Sequence, residues 1–254
     1  MACLSVRGLS LSFGGVDALA GVSIEIPDRS LFAVIGPNGA GKTSFFNCLT
    51  GYYRPSAGSV ALDGRDITRL GAAEVAALGI RRTFQNVRVF PKLSARENVL
   101  AGAHLRASAS VLGTLLGTPR HRRGERVLAE EAERWLDFVG LADKAAVLAG
   151  DLPYGMRKRL EVARALIAHP EILLLDEPAA GVSSVEREEL ASVIRRTAAD
   201  GVTVVMIEHD VELVMQLAAG VAVLDRGRLL VQGTPEAVRA DPRVVEAYLG
   251  RRQR

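Results

Sequence analysis

Apolar residues occur along the chain in two patterns, which predict two kinds of secondary structure. Short continuous runs such as Leu31–Ile35 and Val202–Ile207 contain no charged residue, which is typical of parallel strands covered on both faces. Between such runs, apolar residues recur every three or four positions, as they do on one face of a helix. This alternation predicts an α/β fold. Further strands are expected at Ser59–Leu62, Ile80–Phe84, Ile172–Leu175, Val221–Leu224 and Leu229–Val231, the last two joined by a hairpin turn.

Two regions depart from this alternation. The segments Leu4–Phe13 and Val22–Ile26 have the partly alternating pattern of antiparallel strands. From Ala95 to Val139 the pattern is mainly helical, with a Gly-, Pro- and Arg-rich connection from Gly113 to Gly124. This region predicts a helical subdomain inserted between strands, and we assign its tryptophan to the core rather than to a ligand platform. Its apolar stripe consists of Leu128, Ala132, Trp135, Leu136 and Val139.

Several helix ends are also visible in the sequence. Ser183 and Glu186 have the spacing of a capping box, which predicts a helix from there to Ala198. A helix that includes Leu160–Ala168 must stop before Pro170, because the residue before a proline disfavours helical backbone. Two short helices are expected near the end of the chain, at 236–239 and 244–249.

Charge and cysteine content exclude some classes of protein. The chain has 254 residues and a formal net charge of +3, a balance too mild to predict nucleic-acid binding by itself. We interpret the basic clusters Arg120–Arg123 and Arg251–Arg254 as a solvated loop and a frayed end, with contact to anionic lipid near a membrane partner as the alternative. Cys3 and Cys48 are too few for a disulfide framework, and Cys48 is suited to be a buried small apolar residue.

The sequence shows neither a secretory signal nor a membrane-spanning segment. The N-terminus lacks a basic stretch followed by an apolar one, and the longest apolar runs have the length of strands. We therefore expect a cytoplasmic protein whose association with a membrane depends on a partner.

The residues directly after Leu31–Ile35 fit the phosphate-loop pattern G-x-x-x-x-G-K-[ST] at every position. Glycines let successive backbone N–H groups point at an anion, and the following helix adds the positive end of its dipole. In such a loop Lys42 reaches the β- and γ-phosphates, and the hydroxyl of Thr43 ligates Mg²⁺. The alternative is a glycine-rich turn that matches the pattern by chance. The strand predicted before the loop and the helix predicted after it favour a nucleoside-triphosphate site. The loop comprises Gly36, Pro37, Asn38, Gly39, Ala40, Gly41, Lys42 and Thr43, and Ser44 follows it.

Two carboxylates stand at the end of the predicted strand Ile172–Leu175. Asp176 is placed to hold Mg²⁺, directly or through water, because carboxylate oxygen is a ligand that Mg²⁺ prefers. Glu177 is placed to orient or deprotonate the attacking water. The alternative is an acidic pair that caps a helix, which the strand leading straight into the pair argues against. The pair therefore predicts hydrolysis as well as binding of the nucleotide.

His209 and Gln85 also follow predicted strands, at the edge where parallel α/β sheets bind ligands. His209 is suited to donate a hydrogen bond to a γ-phosphate. The neutral amide of Gln85 is suited to contact Mg²⁺ and the attacking water in a loop that engages and releases. A lone histidine is more often structural, which is our interpretation of His104, His121 and His169.

Taken in order, these motifs resemble those of the ATP-binding-cassette (ABC) ATPases, and the resemblance covers essentially the whole chain. The motifs are GPNGAGKT, the Gln85 loop, LPYGM before a helix, ILLLDEP and the histidine of EHD. In finer detail the chain is similar to one branch, the ATPase subunits of branched-chain amino-acid importers. That similarity lies in RTFQNVRVFPKLSARENVL, LPYG…RLEVARAL, DEPAAG and the C-terminal QGTPEAVRADPRVVEAYLG.

The resemblance implies one ABC ATPase domain, 1–254, with a P-loop NTPase core, an antiparallel β subdomain and a helical subdomain. Its core and β subdomain would occupy about 1–94 and 169–235, and the helical subdomain with the signature about 95–168. A helical tail would follow at 236–254.

Phe13 closes the first predicted strand, where its ring can stack on a base or cap the strand in the core, and its position alone leaves both open. The resemblance implies stacking on adenine. It also implies that two cassettes enclose two ATP molecules, each between one chain's phosphate loop and the other's signature, here Leu152–Met156. Tyr154 and Gly155 would then face the γ-phosphate bound by the partner, together with the amino end of the following helix.

The signature departs from the family pattern. Pro153 replaces the usual serine and has neither a hydroxyl nor an N–H. Tyr154 stands in the usual glycine pair, Met156 replaces the usual glutamine, and Ser183 stands where many cassettes have aspartate. These changes leave the chain's own phosphate loop intact but alter the site that its signature would complete. They predict an asymmetric heterodimer with a second ATPase.

The resemblance therefore implies a subunit that binds ATP and Mg²⁺, hydrolyses ATP and energises an importer for branched-chain amino acids. Its partners would be transmembrane permease subunits, a second ABC ATPase subunit in a heterodimer or a homodimer and, indirectly, an extracytoplasmic solute-binding protein, but no nucleic acid. The chain would lie on the inner face of the cell membrane. One alternative is another cargo, such as urea, other amides or an exported lipid. The other is a non-transport cassette acting on DNA or the ribosome, or a nucleotide-dependent switch.

Overall fold

The computed structural model describes residues 2–103 and 119–249. The chain divides into two compact units. The first, the sheet unit, comprises Met1–Arg82, Glu171–Pro178 and Ile194–Arg254, and the second, the helical unit, comprises Thr83–Pro170 and Ala179–Val193. The described strands are β1 (Ala2–Phe13), β2 (Val16–Pro27), β3 (Leu31–Ile35), β4 (Ala57–Leu62), β5 (Arg65–Asp66), β6 (Ile80–Arg82), β7 (Ile172–Asp176), β8 (Thr203–Ile207), β9 (Gly220–Asp225) and β10 (Arg228–Gly233). The described helices are α1 (Lys42–Leu49), α2 (Ala72–Ala77), α3 (Ala95–Gly102), α4 (Pro119–Phe138), α5 (Tyr154–Leu166), α6 (Ser184–Ala199), α7 (Val211–Leu217), α8 (Pro235–Ala240) and α9 (Pro242–Leu249).

The sheet unit contains a six-stranded sheet with the strand order β10-β9-β3-β8-β7-β6. Neighbouring strands are parallel except for β10, which pairs antiparallel with β9. Every residue of β3, β7 and β8 is buried, as their largely apolar sequences predict for strands covered on both faces. The predicted α/β class is therefore confirmed, and the carboxyl ends of the parallel strands lie along one edge of the sheet.

A second, antiparallel sheet in the same unit has the strand order β2-β1-β4-β5. Leu4, Val6 and Leu9 of β1 are fully buried, and their spacing changes from two residues to three at a register shift between Val6 and Leu9. They belong to the same core cluster as the rings of Phe45 and Phe46 in α1. The helix after the phosphate loop is thus held by apolar packing, whose contribution is about 25 cal/mol per Å² of buried apolar surface.

Two local sequence signals are confirmed. Arg226 and Gly227 connect β9 to β10 with φ angles of +46° and +76°, as the two central residues of a type I′ hairpin turn require. The backbone N–H of Ser183 donates to Oε2 of Glu186 at 3.0 Å, and the backbone N–H of Glu186 donates to Oγ of Ser183 at 3.3 Å. This reciprocal pair is the capping box at the start of α6.

In the helical unit, Asn98 of α3 is fully buried and orders the segment before the helix. Its Oδ1 accepts from the backbone N–H of Phe90 at 2.8 Å, and its Nδ2 donates to the carbonyls of Phe90, Leu93 and Ser94 at 3.0–3.2 Å. Because all these groups satisfy each other, a buried amide stabilises a segment that has no regular secondary structure.

Some expectations from the sequence are wrong. The connection at Gly113–Gly124 ends earlier than expected, because α4 begins at Pro119, and proline is tolerated in the first turn of a helix. Residues 113–118 lie outside the described part of the chain. The strand predicted at Ile80–Phe84 stops at Arg82. Trp135 is half-buried rather than fully in the core, and its ring lies edge-on to Phe138, with 5.4 Å between the ring centroids.

The structure also bears on the expectations for the basic clusters, the histidines, a membrane span and the cysteines. The backbone of Arg120–Arg123 is helical rather than a loop, and the side chains of that segment and of His121 lie outside the described residues, as do His104 and Arg251–Arg254. His169 pairs through Nε2 with Oε1 of Glu131, which agrees with a structural role. Among the described helices, none is both long enough and apolar enough to cross a membrane. Both cysteines, Cys3 and Cys48, are buried and free.

Gly102 provides a test of helix packing in the helical unit. A Cβ at Gly102 of α3 would lie 1.9 Å from the carbonyl oxygen of Arg164 in α5. We expect Gly102→Ala to lower the free energy of unfolding by about 1–3 kcal/mol, because the helices must separate to admit the methyl group. Thermal or urea unfolding measures the change.

Gly124→Ala is the matched control, because Gly124 lies in α4 and, among the residues that the structure describes outside its own helical turns, a Cβ there would meet no atom within 4 Å. That variant should be neutral or slightly more stable, since alanine favours a helix over glycine by roughly 1 kcal/mol. Equal stability of Gly102→Ala and the wild-type chain would contradict the close packing of α3 on α5.

Candidate functional site

The phosphate loop runs from the end of β3 to the start of α1, and its backbone leaves no room for side chains at two glycines. A Cβ at Gly36 would lie 2.1 Å from the carbonyl oxygen of Leu224, and one at Gly41 would lie 2.5 Å from that of Ala18. Gly41, with a φ of +100°, is also the N-cap of α1 and provides no side-chain cap. The loop therefore presents backbone, not side chains, at the amino end of a helix, as anion binding requires.

Lys42 lies across this loop. Its side chain is buried, and its Nζ donates to the carbonyl oxygens of Gly36 at 2.7 Å and Pro37 at 3.1 Å. Thr43, in the first turn of α1, is exposed, and Ser44 is half-buried. The ammonium group is thus held inside the loop where a phosphate would bind, and the hydroxyl of Thr43 remains accessible beside it.

Asp176 ends β7 with its carboxylate in a buried ion pair that the sequence motifs do not reveal. Nη2 of Arg82 lies 2.6 Å from Oδ2 of Asp176, and the two side chains are only 9% and 4% exposed. Nη1 of the same guanidinium donates to Oδ1 of Asn47 in α1 at 2.6 Å. Arg82 belongs to none of the sequence motifs, although a charged residue in a short strand of a buried sheet is a signal that such a partner exists.

Glu177 and His209 approach each other at the carboxyl ends of β7 and β8. Glu177 has a φ of +47°, a conformation that is strained for a residue other than glycine and is frequent at functional sites. Its backbone N–H donates to the carbonyl of Ile207 at 2.9 Å. Nδ1 of His209 lies 3.9 Å from Oε2 of Glu177 and 3.8 Å from Oε2 of the fully buried Glu208. The imidazole is therefore near two carboxylates, while more than half of its side chain is exposed.

The oxygen atoms of this site suit Mg²⁺. The hydroxyl of Thr43 and the carboxylate of Asp176 are the hard oxygen donors that Mg²⁺ prefers, and Mg²⁺ usually keeps several waters and takes only one or two protein carboxylates. Within residues 2–103 and 119–249, no group of three or more His, Cys, Asp and Glu side chains is arranged to hold a metal.

Phe13 ends β1 in the sheet unit with about half of its side chain exposed. Its ring lies edge-on to that of Tyr53, with the centroids 5.2 Å apart. The exposed part is free to contact a planar base, and the edge contact fixes the ring's orientation. Stacking on a base stays a prediction, with this exposure in its favour.

Gln85 belongs to the helical unit, where side chains of α5 bind the backbone of its loop. Nζ of Lys158 donates to the carbonyl of Gln85 at 2.9 Å, and Oε1 of Glu161 accepts from the backbone N–H of Arg88 at 3.3 Å. A guanidinium nitrogen of Arg164 donates to the carbonyl of Arg88. Burial raises the pKa of Glu161, and the nearby charge of Arg164 offsets part of this effect.

The signature residues lie at the amino end of α5, also in the helical unit. Pro153 is the N-cap and provides no side-chain cap. A Cβ on the buried Gly155 would lie 2.3 Å from Oε1 of Glu186. The N–H and hydroxyl of Ser183 lower the pKa of Glu186, and the backbone N–H of Gly155 contributes to the same effect. The carboxylate of Glu186 therefore contacts the amino ends of both α5 and α6, and Tyr154 begins α5 beside it.

The predicted site residues are thus distributed over both units. The sheet unit contains the phosphate loop, Phe13, Asp176, Glu177 and His209, and the helical unit contains Gln85 and the signature. The roles assigned to these residues remain predictions, for which the burial and strain at the sheet edge give physical support.

Comparison with known proteins agrees with this arrangement. A family profile described as ABC transporter matches residues 19–180, and one described as branched-chain amino acid ATP-binding cassette transporter matches residues 228–253. The chain is 44% identical to the high-affinity branched-chain amino acid transport ATP-binding protein BraF of Pseudomonas aeruginosa, over 97% of each chain. It is 41% identical to the corresponding protein LivG of Escherichia coli, also over 97% of each chain.

A solved structure, the ADP conformation of an ATP-binding cassette of an ABC transporter, superposes with a TM-score of 0.86 at 31% identity and covers 98% of this chain and 99% of its own. A family profile over more than half of the chain and relatives that match almost its whole length lead to one conclusion. The chain belongs to the family of ATP-binding-cassette ATPases of ABC transporters.

Proposed function

We propose that this chain binds and hydrolyses ATP to energise an importer of branched-chain amino acids. The observation that supports this most is the 44% identity to a branched-chain amino acid transport ATP-binding protein over 97% of both chains. The separate match of residues 228–253 to a profile of the same transport class supports it as well. The similarity therefore includes the C-terminal segment, outside the residues that bind nucleotide.

In this proposal each predicted site residue has a defined task. The backbone of the phosphate loop and Lys42 bind the phosphates, and Phe13 stacks on the adenine. Thr43 and Asp176 hold Mg²⁺, with Gln85 as a further ligand, and the bound ion would neutralise phosphate charge. Glu177 orients and deprotonates the attacking water. His209, close to Glu177, donates a hydrogen bond to the γ-phosphate.

The partners follow from the same proposal. Transmembrane permease subunits would bind the chain on the inner face of the cell membrane, and a solute-binding protein would act indirectly through them. A second cassette would complete the two ATP sites, with Tyr154, Gly155 and the amino end of α5 facing the partner's nucleotide. Another cargo remains the nearest alternative, because the ATPase does not contact the solute. A role on nucleic acid is disfavoured by the formal charge of only +3.

Purification with its partners from native membranes tests the transport proposal. We expect a pair of permease chains and a second cassette to purify with the tagged protein. Thermal stabilisation of the system's solute-binding protein by leucine, isoleucine or valine, compared with urea, then identifies the cargo. If only soluble or nucleic-acid-associated partners are recovered, the transport proposal is rejected and only the proposal of ATP hydrolysis remains.

The first prediction from the proposed function concerns the catalytic carboxylate. Glu177→Gln should keep ATP affinity, since the phosphate loop is unchanged, but lower the hydrolysis rate by about 100-fold or more, because the amide cannot accept the water's proton. Steady-state phosphate release and equilibrium ATP binding measure the two effects. Glu188→Gln is the control, since Glu188 is exposed on α6 and should leave both quantities unchanged. Unaltered hydrolysis in Glu177→Gln would remove Glu177 from its role.

The second prediction concerns assembly. With ATP bound, the Glu177→Gln chain alone should remain mainly monomeric in sedimentation velocity, because Pro153 offers no hydroxyl or N–H to a partner's phosphate. Addition of the second cassette from the same transporter should produce a heterodimer. A stable homodimer of this chain alone would contradict the proposed asymmetry.

A further inference from the structure

Arg82 connects the two elements that contain the proposed magnesium ligands of the sheet unit. Its guanidinium lies at the end of β6, between Asn47 of α1 and Asp176 of β7. Asn47 is one helical turn beyond Thr43 and on the same face of α1. The same side chain thus reaches the helix that begins with Thr43 and the strand that ends with Asp176.

The contacts use the fork shape of the guanidinium. Nη1 donates to Oδ1 of Asn47 and Nη2 to Oδ2 of Asp176, each at 2.6 Å. Cζ of Arg82 also lies 5.6 Å from the centroid of the Phe46 ring in α1. A lysine has a single ammonium group on a flexible stem, so it can keep the charge but not both directed contacts.

The burial of the pair makes these contacts energetically important. With 9% and 4% of their side chains exposed, Arg82 and Asp176 interact in surroundings with little water, where an uncompensated carboxylate is costly. The guanidinium neutralises the carboxylate in the absence of a metal and engages one of its two oxygens. Ligation of a metal by a carboxylate needs only one oxygen.

We propose that Arg82 is a positioning residue of the magnesium site, which holds Asp176 at a fixed place relative to Thr43 before the ion and the nucleotide bind. This inference rests on the proposed function, because it requires Thr43 and Asp176 to be the metal ligands. It adds a residue that would act through a metal ligand, as the outer partners of ligating carboxylates do.

The test separates nucleotide binding with Mg²⁺ from nucleotide binding without it. ADP is titrated by calorimetry in EDTA and again at a series of Mg²⁺ concentrations, so that no hydrolysis takes place. Arg82→Lys should bind ADP in EDTA as the wild-type chain does, since the phosphate loop and Lys42 are intact. Arg82→Lys should need roughly 10- to 100-fold more Mg²⁺ than the wild-type chain to reach the same increase in ADP affinity. Loss of a residue that hydrogen-bonds a metal ligand usually lowers metal affinity by this factor.

Arg81→Lys is the matched control. Arg81 precedes Arg82 on β6, but its guanidinium donates to the carbonyl of Ala76, not to Asp176. This variant should retain the wild-type dependence on Mg²⁺. If Arg82→Lys and Arg81→Lys show the same dependence as the wild-type chain, the positioning role is rejected.

Asn47→Ala serves as the second variant, in case Arg82→Lys is unstable in thermal unfolding with EDTA. It keeps the ion pair of Arg82 and Asp176 but removes the contact to α1, so it should also shift the Mg²⁺ dependence, by a smaller factor. Equal dependence in Asn47→Ala and the wild-type chain would reject the connection through α1. If Mg²⁺ does not change the ADP affinity of the wild-type chain, the metal site of the proposed function is rejected instead.

Discussion

The backbone at Gly36 has no space for a side chain, and the rest of the site depends on that close approach. A Cβ there would lie 2.1 Å from the carbonyl oxygen of Leu224, and the same constraint recurs at Gly41 against Ala18. Because both ends of the loop are pressed against backbone of the sheet unit, the loop has little freedom to rearrange. Nζ of Lys42 then lies within hydrogen-bond distance of two carbonyl oxygens of the loop. The anion site is built by backbone packing, and its side chains only complete it.

The charges around this loop are buried to an unusual extent for a surface site. Lys42, Asp176 and Glu208 are each less than 7% exposed, and burial of a charge is costly unless it is paired or hydrogen-bonded. The site meets this requirement with carbonyls for the ammonium and a guanidinium for Asp176. Pairs of this kind contribute little net stability compared with apolar residues of the same size. Their presence is therefore explained by the chemistry of the site rather than by the stability of the fold.

The sequence predicts the parts of the structure that depend on local patterns. The phosphate loop, the buried strands and the capping box of Ser183 and Glu186 follow from spacing over a few residues, and the structure has them where expected. The pairing of Arg82 with Asp176 joins residues 94 positions apart, and it exists because β6 is the neighbour of β7 in the sheet. No periodicity in the sequence specifies that neighbour.

The backbone conformation of Glu177 and the start of α4 could not be predicted from the sequence, for two different physical reasons. Glu177 precedes Pro178, and that position favours extended backbone, yet its φ is +47°. Tertiary contacts, including its N–H bond to Ile207, overrule the local preference. Pro119 and Gly124 suggested a connection by composition, but a proline in the first turn of a helix sacrifices no hydrogen bond. The composition of this segment suggested an irregular connection, but the backbone is helical from Pro119 onward.

In the helical unit, side chains of a single helix bind the backbone of the Gln85 loop. Lys158, Glu161 and Arg164 are three residues apart along α5 and therefore lie on one face of the helix. Each binds a backbone group between Gln85 and Arg88, so that the loop is fixed at successive points by a single helix. Any displacement of α5 must move the backbone at Gln85 and Arg88 or break hydrogen bonds to charged groups, which contribute about 1.5–3 kcal/mol each. The amino end of α5 and the Gln85 loop are therefore connected through the side chains of one helix.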